Sequence, residues 1–341
     1  MKKHIVFFIF FINTLLFCNE GNFWTGDNTI NAKGDKLTMY DKGQKIVLLG
    51  NTSVKRSDLQ VLADTMEIWQ KDEKFNGLGN VKTEKIFENG NTVNSISNKI
   101  FYNEKSKLIE LFDILNLDYF LKNENKTLNV IGEYLKIKEE DGFRKATFEK
   151  VFSMKLPFEE KNKKGINILK ADKIKATTKI DDETYNFAVL ENNVVLNRNY
   201  ENGEFVKIQA YKMTYSKKEH FVKFEKVREI QSFQLEENTT YYVYCDEIFW
   251  DLDENIGALT GKPVIFKKID DSYQITSNFV KINKNKQEVL FTENPIARQT
   301  DEQGVGAYKA ENILYYLETK LIKMFGNVDI DFLPNKKNKN K

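Results

Sequence analysis

Nine times along this chain a small residue is followed by apolar residues three and five positions later. Gly34 leads to Leu37 and Met39, Ala63 to Met66 and Ile68, and Ser97 to Ile100 and Tyr102. Gly132 leads to Leu135 and Ile137, Ala171 to Ile174 and Ala176, and Ala210 to Met213 and Tyr215. Cys245 leads to Ile248 and Trp250, Ser277 to Val280 and Ile282, and Ala310 to Ile313 and Tyr315. The small positions lie 29, 34, 35, 39, 39, 35, 32 and 33 residues apart. Before each small residue the apolar positions share its parity, as in Leu59, Val61 and Ala63; after it the parity flips. A straight strand alternates its faces with period two and cannot do this. The chain must bend or bulge at each small residue so that both halves of a strand face one interior. Eight of the nine small residues are followed by Asp, Asn or Glu, and Tyr211 is the exception. Such polar side chains can satisfy backbone groups in a bend.

About half a repeat beyond each corner a turn leads into an apolar strand start. The clearest are "GNTSV" at 50, "GNVKT" at 79, "NNVVL" at 192 and "GNVDI" at 326. A period near 35 residues, repeated nine times, implies units that bury their apolar faces on their neighbours. No helical periodicity longer than two turns competes with it. The expectation is an all-β, antiparallel chain: an elongated stack of about nine repeats, open at both ends, each supplying about four short strands.

The flanks differ from the repeats. "MKKHIVFFIFFINTLLFC" has a basic start and an apolar run from Ile5 to Phe17, suited to a signal peptide over residues 1–18. "LLFC" resembles a lipoprotein box ending at Cys18, which would anchor the protein at a membrane. The end, "PNKKNKNK" from Pro334, reads as a frayed basic tail over 334–341. A softer boundary at "PFEEKNKKG" divides the repeats into 25–158 and 159–333. Beyond residue 18 the chain carries 50 basic and 50 acidic residues, a poor match for nucleic-acid binding.

"GDKLTMYDKGQKIVLLGNTSV" from Gly34 and "LADTMEIWQKDEKFNGLGNV" from Leu62 resemble the OstA/LptA family of lipopolysaccharide-transport proteins. The shared pattern is a small–acidic pair, an apolar residue, a Tyr-like residue, and a strand closing on Gly-Asn-Val. The resemblance is strong over residues 30–84, and the degenerate repeat carries it further. It implies a twisted β-jellyroll, open at both ends, whose greasy interior carries acyl chains of lipid A. It also implies a periplasmic location and edge-strand pairing with other jellyroll proteins of the envelope. The interior positions of the repeat nominate the lipid groove: Leu37, Met39, Leu49, Val54, Met66, Ile68, Ile100, Tyr102, Leu135, Ile137, Met213 and Tyr215.

Catalytic chemistry has little to stand on. His220 is the single histidine beyond the leader, and "SKKEHF" offers neither a nucleophile elbow nor a metal spacing. Cys245 fills a small corner position and reads as a packed thiol. Asp35, Asp64, Asp172 and Asp246 occupy one repeat position, which points to corner chemistry rather than a unique carboxylate pair. The expectation is therefore no enzyme, no metal and no cofactor. The expected function is to convey lipopolysaccharide or a similar glycolipid across the periplasm along an apolar groove. Burying a methylene is worth about 0.8 kcal/mol, so a dozen carbons would gain on the order of 10 kcal/mol if fully enclosed. Partial burial, alike in every repeat, would let lipid slide instead. The rival is a structural or adhesive β-solenoid with a filled core; a carbohydrate-active β-helix enzyme trails both.

Overall fold

The computed structural model describes residues 30–56, 59–86, 92–121, 125–160, 163–179, 182–234, 238–270, 272–302 and 304–334. Residues 1–18, expected to form a signal peptide ending at Cys18, and residues 335–341 lie outside the described residues. What is described is β throughout, with one 3-10 turn at Asp41–Gly43. The registered pairings are all antiparallel.

The chain divides into two compact units. The N-terminal one runs to Glu159 and takes in Ile166–Glu191; the other comprises Glu160–Gly165 and the chain from Asn192 onward. The first contains β1 (Asn31–Lys33), β2 (Lys36–Tyr40), β3 (Lys45–Lys55), β4 (Leu59–Trp69), β5 (Lys74–Ile86) and β6 (Thr92–Asn103). It continues through β7 (Leu108–Leu121), β8 (Lys126–Glu140), β9 (Phe143–Glu160) and most of β10 (Lys163–Lys179). β11 (Asp182–Tyr200) begins in this unit and ends in the next.

Within the N-terminal unit each strand from β3 to β8 pairs with the next along its whole length, and the register shifts once near its middle. Each such strand thus has two halves lying in two walls. One wall holds β2, the first half of β3 and the second half of β4, and continues in alternation. The other holds β1, the second half of β3 and the first half of β4. The four short strands expected per repeat are therefore two long strands, each bent once. The break falls where parity flips, because an extra residue on one strand restores the inward face on both sides of the bend.

There are two kinds of corner, and they alternate. One is the small residue found in the sequence; Ala63, Ser97, Ala171, Ala210, Cys245, Ser277 and Ala310 are all buried. The other is a left-handed residue half a repeat on, within a strand at Gly50-Asn51, Gly79-Asn80, Asp113, Lys150, Asn192-Asn193 and Lys226 and between strands at Glu293-Asn294 and Gly326-Asn327. These sites coincide with the "GNTSV"-type segments. Those segments are mid-strand bulges in β3 and β5, not strand starts. Asn and Gly tolerate positive φ at little steric cost, which explains their use there.

The two corners are bonded to each other. Asn51 Nδ2 donates to Asp35 Oδ2 at 3.0 Å and Asn80 Nδ2 to Asp64 Oδ2 at 2.8 Å, each 16 residues back along the chain. Asn327 does the same to Glu311, and Asn98 donates to Asp113 at 3.3 Å. The Asp35 amide also donates to the Gly50 carbonyl, and the Glu311 amide to that of Gly326. The acid of one strand thus sits over the bulge of the next, and this fixes the repeat's 16-residue half-step.

The C-terminal unit holds β12 (Phe205–Ser216), β13 (Phe221–Gln234), β14 (Thr239–Tyr244), β15 (Glu247–Asp251), β16 (Ile256–Lys268) and β17 (Tyr273–Asn283). It ends with β18 (Glu288–Thr292), β19 (Ile296–Thr300), β20 (Gly304–Lys309), β21 (Asn312–Tyr316), β22 (Ile322–Phe325) and β23 (Asp329–Pro334). Here several corners interrupt the ladder outright. Cys245-Asp246 separates β14 from β15, and Glu293-Asn294 separates β18 from β19. Ala210 is 2% exposed at a bulge in β12 and faces Val227. Replacing it with leucine is expected to overpack the bend and cost about 1–3 kcal/mol, read as a lower urea midpoint.

Candidate functional site

The bends turn one face of every strand inward, and the register lines up what those faces carry. In the N-terminal unit two cross-strand rows run along the first wall. One is Leu37, Leu48, Met66, Gly77, Ile100, Leu111, Leu135 and Phe148, each directly opposite the next. Beside it run Met39, Ile46, Ile68, Phe75, Tyr102, Ile109, Ile137 and Ala146. Directly opposed side chains on one face are the unit of sheet packing, so these rows are continuous apolar tracks. The stacked rings of Phe75 and Tyr102, with centroids 5.2 Å apart, are one link in the second. The C-terminal unit repeats the pattern in its own interior, with Met213, Phe224, Ile248, Leu259, Val280, Phe291 and Ile313 opposed in sequence.

Nine of the twelve nominated groove residues are buried in these interiors: Val54, Met66, Ile68, Ile100, Tyr102, Leu135, Ile137, Met213 and Tyr215. Leu37 and Met39 face the same way but are 53% and 61% exposed. They lie on β2, which pairs with β3 alone among the described residues and so has nothing stacked beyond it. Leu49 is a correction. It is exposed and alternates with buried Leu48, so it points outward. The bulge at Gly50-Asn51 keeps even-numbered positions of β3 inside on both sides of the bend, and Leu48 is the interior residue. The far end of the C-terminal unit mirrors β2: Ile330 and Phe332 of β23 oppose Tyr308 and Gly306 of β20 and are 62% and 54% exposed.

Between the walls of the N-terminal unit lies a small cavity. Its volume is about 20 Å³, and it is lined from one wall by Ile100, Tyr102, Ile109, Leu111, Leu135 and Ile137. The other wall contributes Leu59, Thr83, Lys85, Val93, Ser95 and Leu117. That volume admits one water and no acyl chain. Three of these residues were not foreseen: Thr83, Lys85 and Ser95 are polar and face inward. Lys85 is 4% exposed and Ser95 3%. The Thr83 and Ser95 hydroxyl oxygens are buried and have no hydrogen-bond partner among the described residues. Nearby, the turns at the outer rims of the two walls meet. Arg56 Nη1 lies 4.0 Å from a Glu104 carboxylate oxygen, with side chains 3% and 16% exposed. Tyr102 donates its hydroxyl to the same Glu104.

The residues weighed for catalysis are elsewhere. His220 is half exposed, with Nδ1 2.9 Å from Asp253. Burial, and then the neighbouring Asp246 charge, push the Cys245 thiol up to about 12, so it carries almost no thiolate near neutrality. Burial likewise raises the Tyr215 phenol far above its usual range. Among the described residues no group of three or more His, Cys, Asp or Glu side chains could hold a metal ion, and no helix is long and apolar enough to cross a membrane.

Residues 29–143 match the family model described as "LptA/(LptD N-terminal domain) LPS transport protein". That match covers about a third of the chain and bears out the resemblance carried by Gly34 to Val81. Among solved structures the chain is similar to LptH of Pseudomonas aeruginosa, titled the LptA-homologous periplasmic component of the conserved lipopolysaccharide transport device. The likeness is 18% identical, covers 32% of this chain and 76% of that one, and has a TM-score of 0.28. No curated protein matches the sequence.

Proposed function

We propose that this chain, whose residues 29–143 match the LptA-like family model, is a lipopolysaccharide-transport protein that conveys lipopolysaccharide or a similar glycolipid across the periplasm. The observation that supports this reading most is the pair of unbroken apolar rows that cross seven strand interfaces and end in exposed Leu37 and Met39. A row that served only as a core would gain nothing by continuing into solvent. An apolar mouth gives an acyl chain an entry whose surface matches the track behind it. Among the described residues β2 pairs only with β3 and β23 only with β20, and such edges can take a strand of a related protein by β-augmentation.

Met39→Asp separates the mouth from the fold. At 61% exposure the new carboxylate costs little stability, so the melting temperature should move by no more than a few degrees. Lipid recovered with the purified protein, counted by mass spectrometry, should fall several-fold. Unchanged lipid content would remove Met39 from the path. Pairing at the ends is tested by photo-crosslinkers placed along 29–37 and along 328–332 in cells. Crosslinks to another envelope jellyroll concentrated at either end support a bridge; an even scatter along the repeats opposes one.

One observation favours the rival structural reading: the cavity between the two walls holds only about 20 Å³. A carrier must part its two walls to admit a chain. Spin labels on opposite walls, at Lys74 and Lys82, report this directly. A distance that grows on adding amphiphile supports conveyance, and one that never changes supports a filled core.

A further inference from the structure

We propose that the rim of the N-terminal interior is a headgroup site, where Arg56 and Lys85, with the Ser95 and Thr83 hydroxyls, take the phosphate of an amphiphile and displace Glu104 from Arg56. The inference rests on the lipid-carrying reading above and specifies the ligand group that this part of the path recognises. Thr83 and Ser95 are direct cross-strand partners on β5 and β6, and Lys85 opposes Val93 one step nearer the rim. All three line the same cavity as Tyr102 of the facing wall. On either side of this polar patch the wall is apolar again: Leu59 and Val61 on β4, Leu117 and Tyr119 on β7. The pattern is a short cationic, hydroxyl-bearing step set into a greasy track.

Each feature suits a phosphate. A dianionic phosphate can engage two cations at once, and the guanidinium fork matches its oxygens. Hydroxyls that are buried without a partner among the described residues are donors awaiting an acceptor. The acyl portion would then lie on Ile100 and Ile109, which line the cavity opposite.

The same contacts explain how the rim closes. Arg56 follows β3 in the second wall, and Glu104 follows β6 in the first. Their 4.0 Å approach, with the Tyr102–Glu104 hydrogen bond, ties the walls together over the cavity. A phosphate that replaces the Glu104 carboxylate beside Arg56 releases this tie as it binds. Entry of the headgroup and parting of the walls become one exchange of anions. No covalent step is involved.

The test uses the full chain after leader removal, titrated calorimetrically with dodecyl phosphate and with uncharged dodecyl glucoside. The wild type should bind the phosphate at least about tenfold more tightly. Arg56→Gln with Lys85→Met should reduce that preference to less than about twofold while leaving dodecyl glucoside binding in place. Lys85→Met keeps the side chain's length and apolar packing, and a thermal melt followed by circular dichroism verifies that the variant is folded. Glu104→Gln supplies an independent arm: by weakening the competitor it should raise phosphate affinity several-fold. Equal affinity of the wild type for both probes, or a preference that survives the double substitution, overturns the headgroup site alone. Failure of both probes to bind overturns the lipid-carrying reading with it. A diacyl glucosamine 1-phosphate and phosphatidic acid then separate the two sources of a lipid phosphate. Preferential binding of the former assigns the site to a glycolipid and of the latter to a phospholipid. Rejection of both, with dodecyl phosphate still bound, overturns a role in lipid recognition.

Discussion

Replacing Phe75 with alanine is expected to cost about 3–5 kcal/mol, the range for emptying a large, fully buried aromatic site. Phe75 is 0% exposed and stands in the middle of the second apolar row, between Ile68 and Tyr102. Its ring stacks on Tyr102 at 5.2 Å, so the substitution removes an aromatic pair as well as volume. The neighbours cannot easily collapse into the gap. Ile68 and Tyr102 are fixed by the registers of β4 and β6, and Gly77, next on the same face of β5, has no side chain to move. The amides of β4, β5 and β6 should therefore lose hydrogen-exchange protection together, by about two to three and a half orders of magnitude (about 1.4 kcal/mol per factor of ten). Leu37→Ala is the control. It lies on the neighbouring row but is 53% exposed, and it should shift protection by less than about 0.5 kcal/mol. Loss of protection of similar size in both variants would mean that the rows do not form the packed interior.

How far the sequence reached can be followed on these same residues. The flip of parity at Ala63 was legible because apolar and polar residues alternate cleanly on both sides, and only a bend reconciles them. The inward position of the residue five beyond Ser97 and Ala210 was legible for the same reason: Tyr102 and Tyr215 are at most 2% exposed. The second corner was harder. Gly-Asn is the usual signature of a two-residue hairpin, so Gly50-Asn51 and Gly79-Asn80 suggest a chain reversal followed by a new strand. In the structure each pair bulges inside one strand, and what fixes that choice is an acid 16 residues away, Asp35 or Asp64. Long-range partners of this kind leave no local trace. Leu49 failed for a different reason. With Leu48 and Leu49 adjacent, alternation does not say which faces inward until the bulge is placed.

The polar step in the interior was invisible because it breaks the pattern that made the rest readable. Thr83, Lys85 and Ser95 occupy inward positions where the repeat asks for apolar residues, and a pattern search discards them as exposed. A local rule broken in an otherwise consistent fold is where function is to be sought. One signal was available. Lys85 shares parity with Val81 and Thr83 after the Gly79-Asn80 bulge, which places it on the inner face once that bulge is known.

Gly79→Ala is expected to cost about 3 kcal/mol, more than its small size suggests. Gly79 has φ +74°, and a Cβ there would run into the Asp64 carboxylate and the Asp64 Cβ. The left-handed backbone alone costs an L-residue about 1–2 kcal/mol. The remainder, about 1–2 kcal/mol, comes from driving Asp64 away and losing its bond from Asn80 Nδ2, 2.8 Å long. Gly43 isolates the first contribution. It has φ +90°, and a Cβ added to it would meet nothing within 4 Å, so Gly43→Ala should cost only the backbone strain. Asp64→Ala isolates the second, since it removes the carboxylate, the nearest obstacle, together with the bond. In the double variant the methyl group meets no carboxylate, and the combined loss should fall short of the sum of the single losses by about 1 kcal/mol. The size of that shortfall measures how strongly one strand's acid holds the next strand's bulge. Losses that simply add would make the acid at each corner a solvated surface group, and the 16-residue half-step would then rest on the glycine alone.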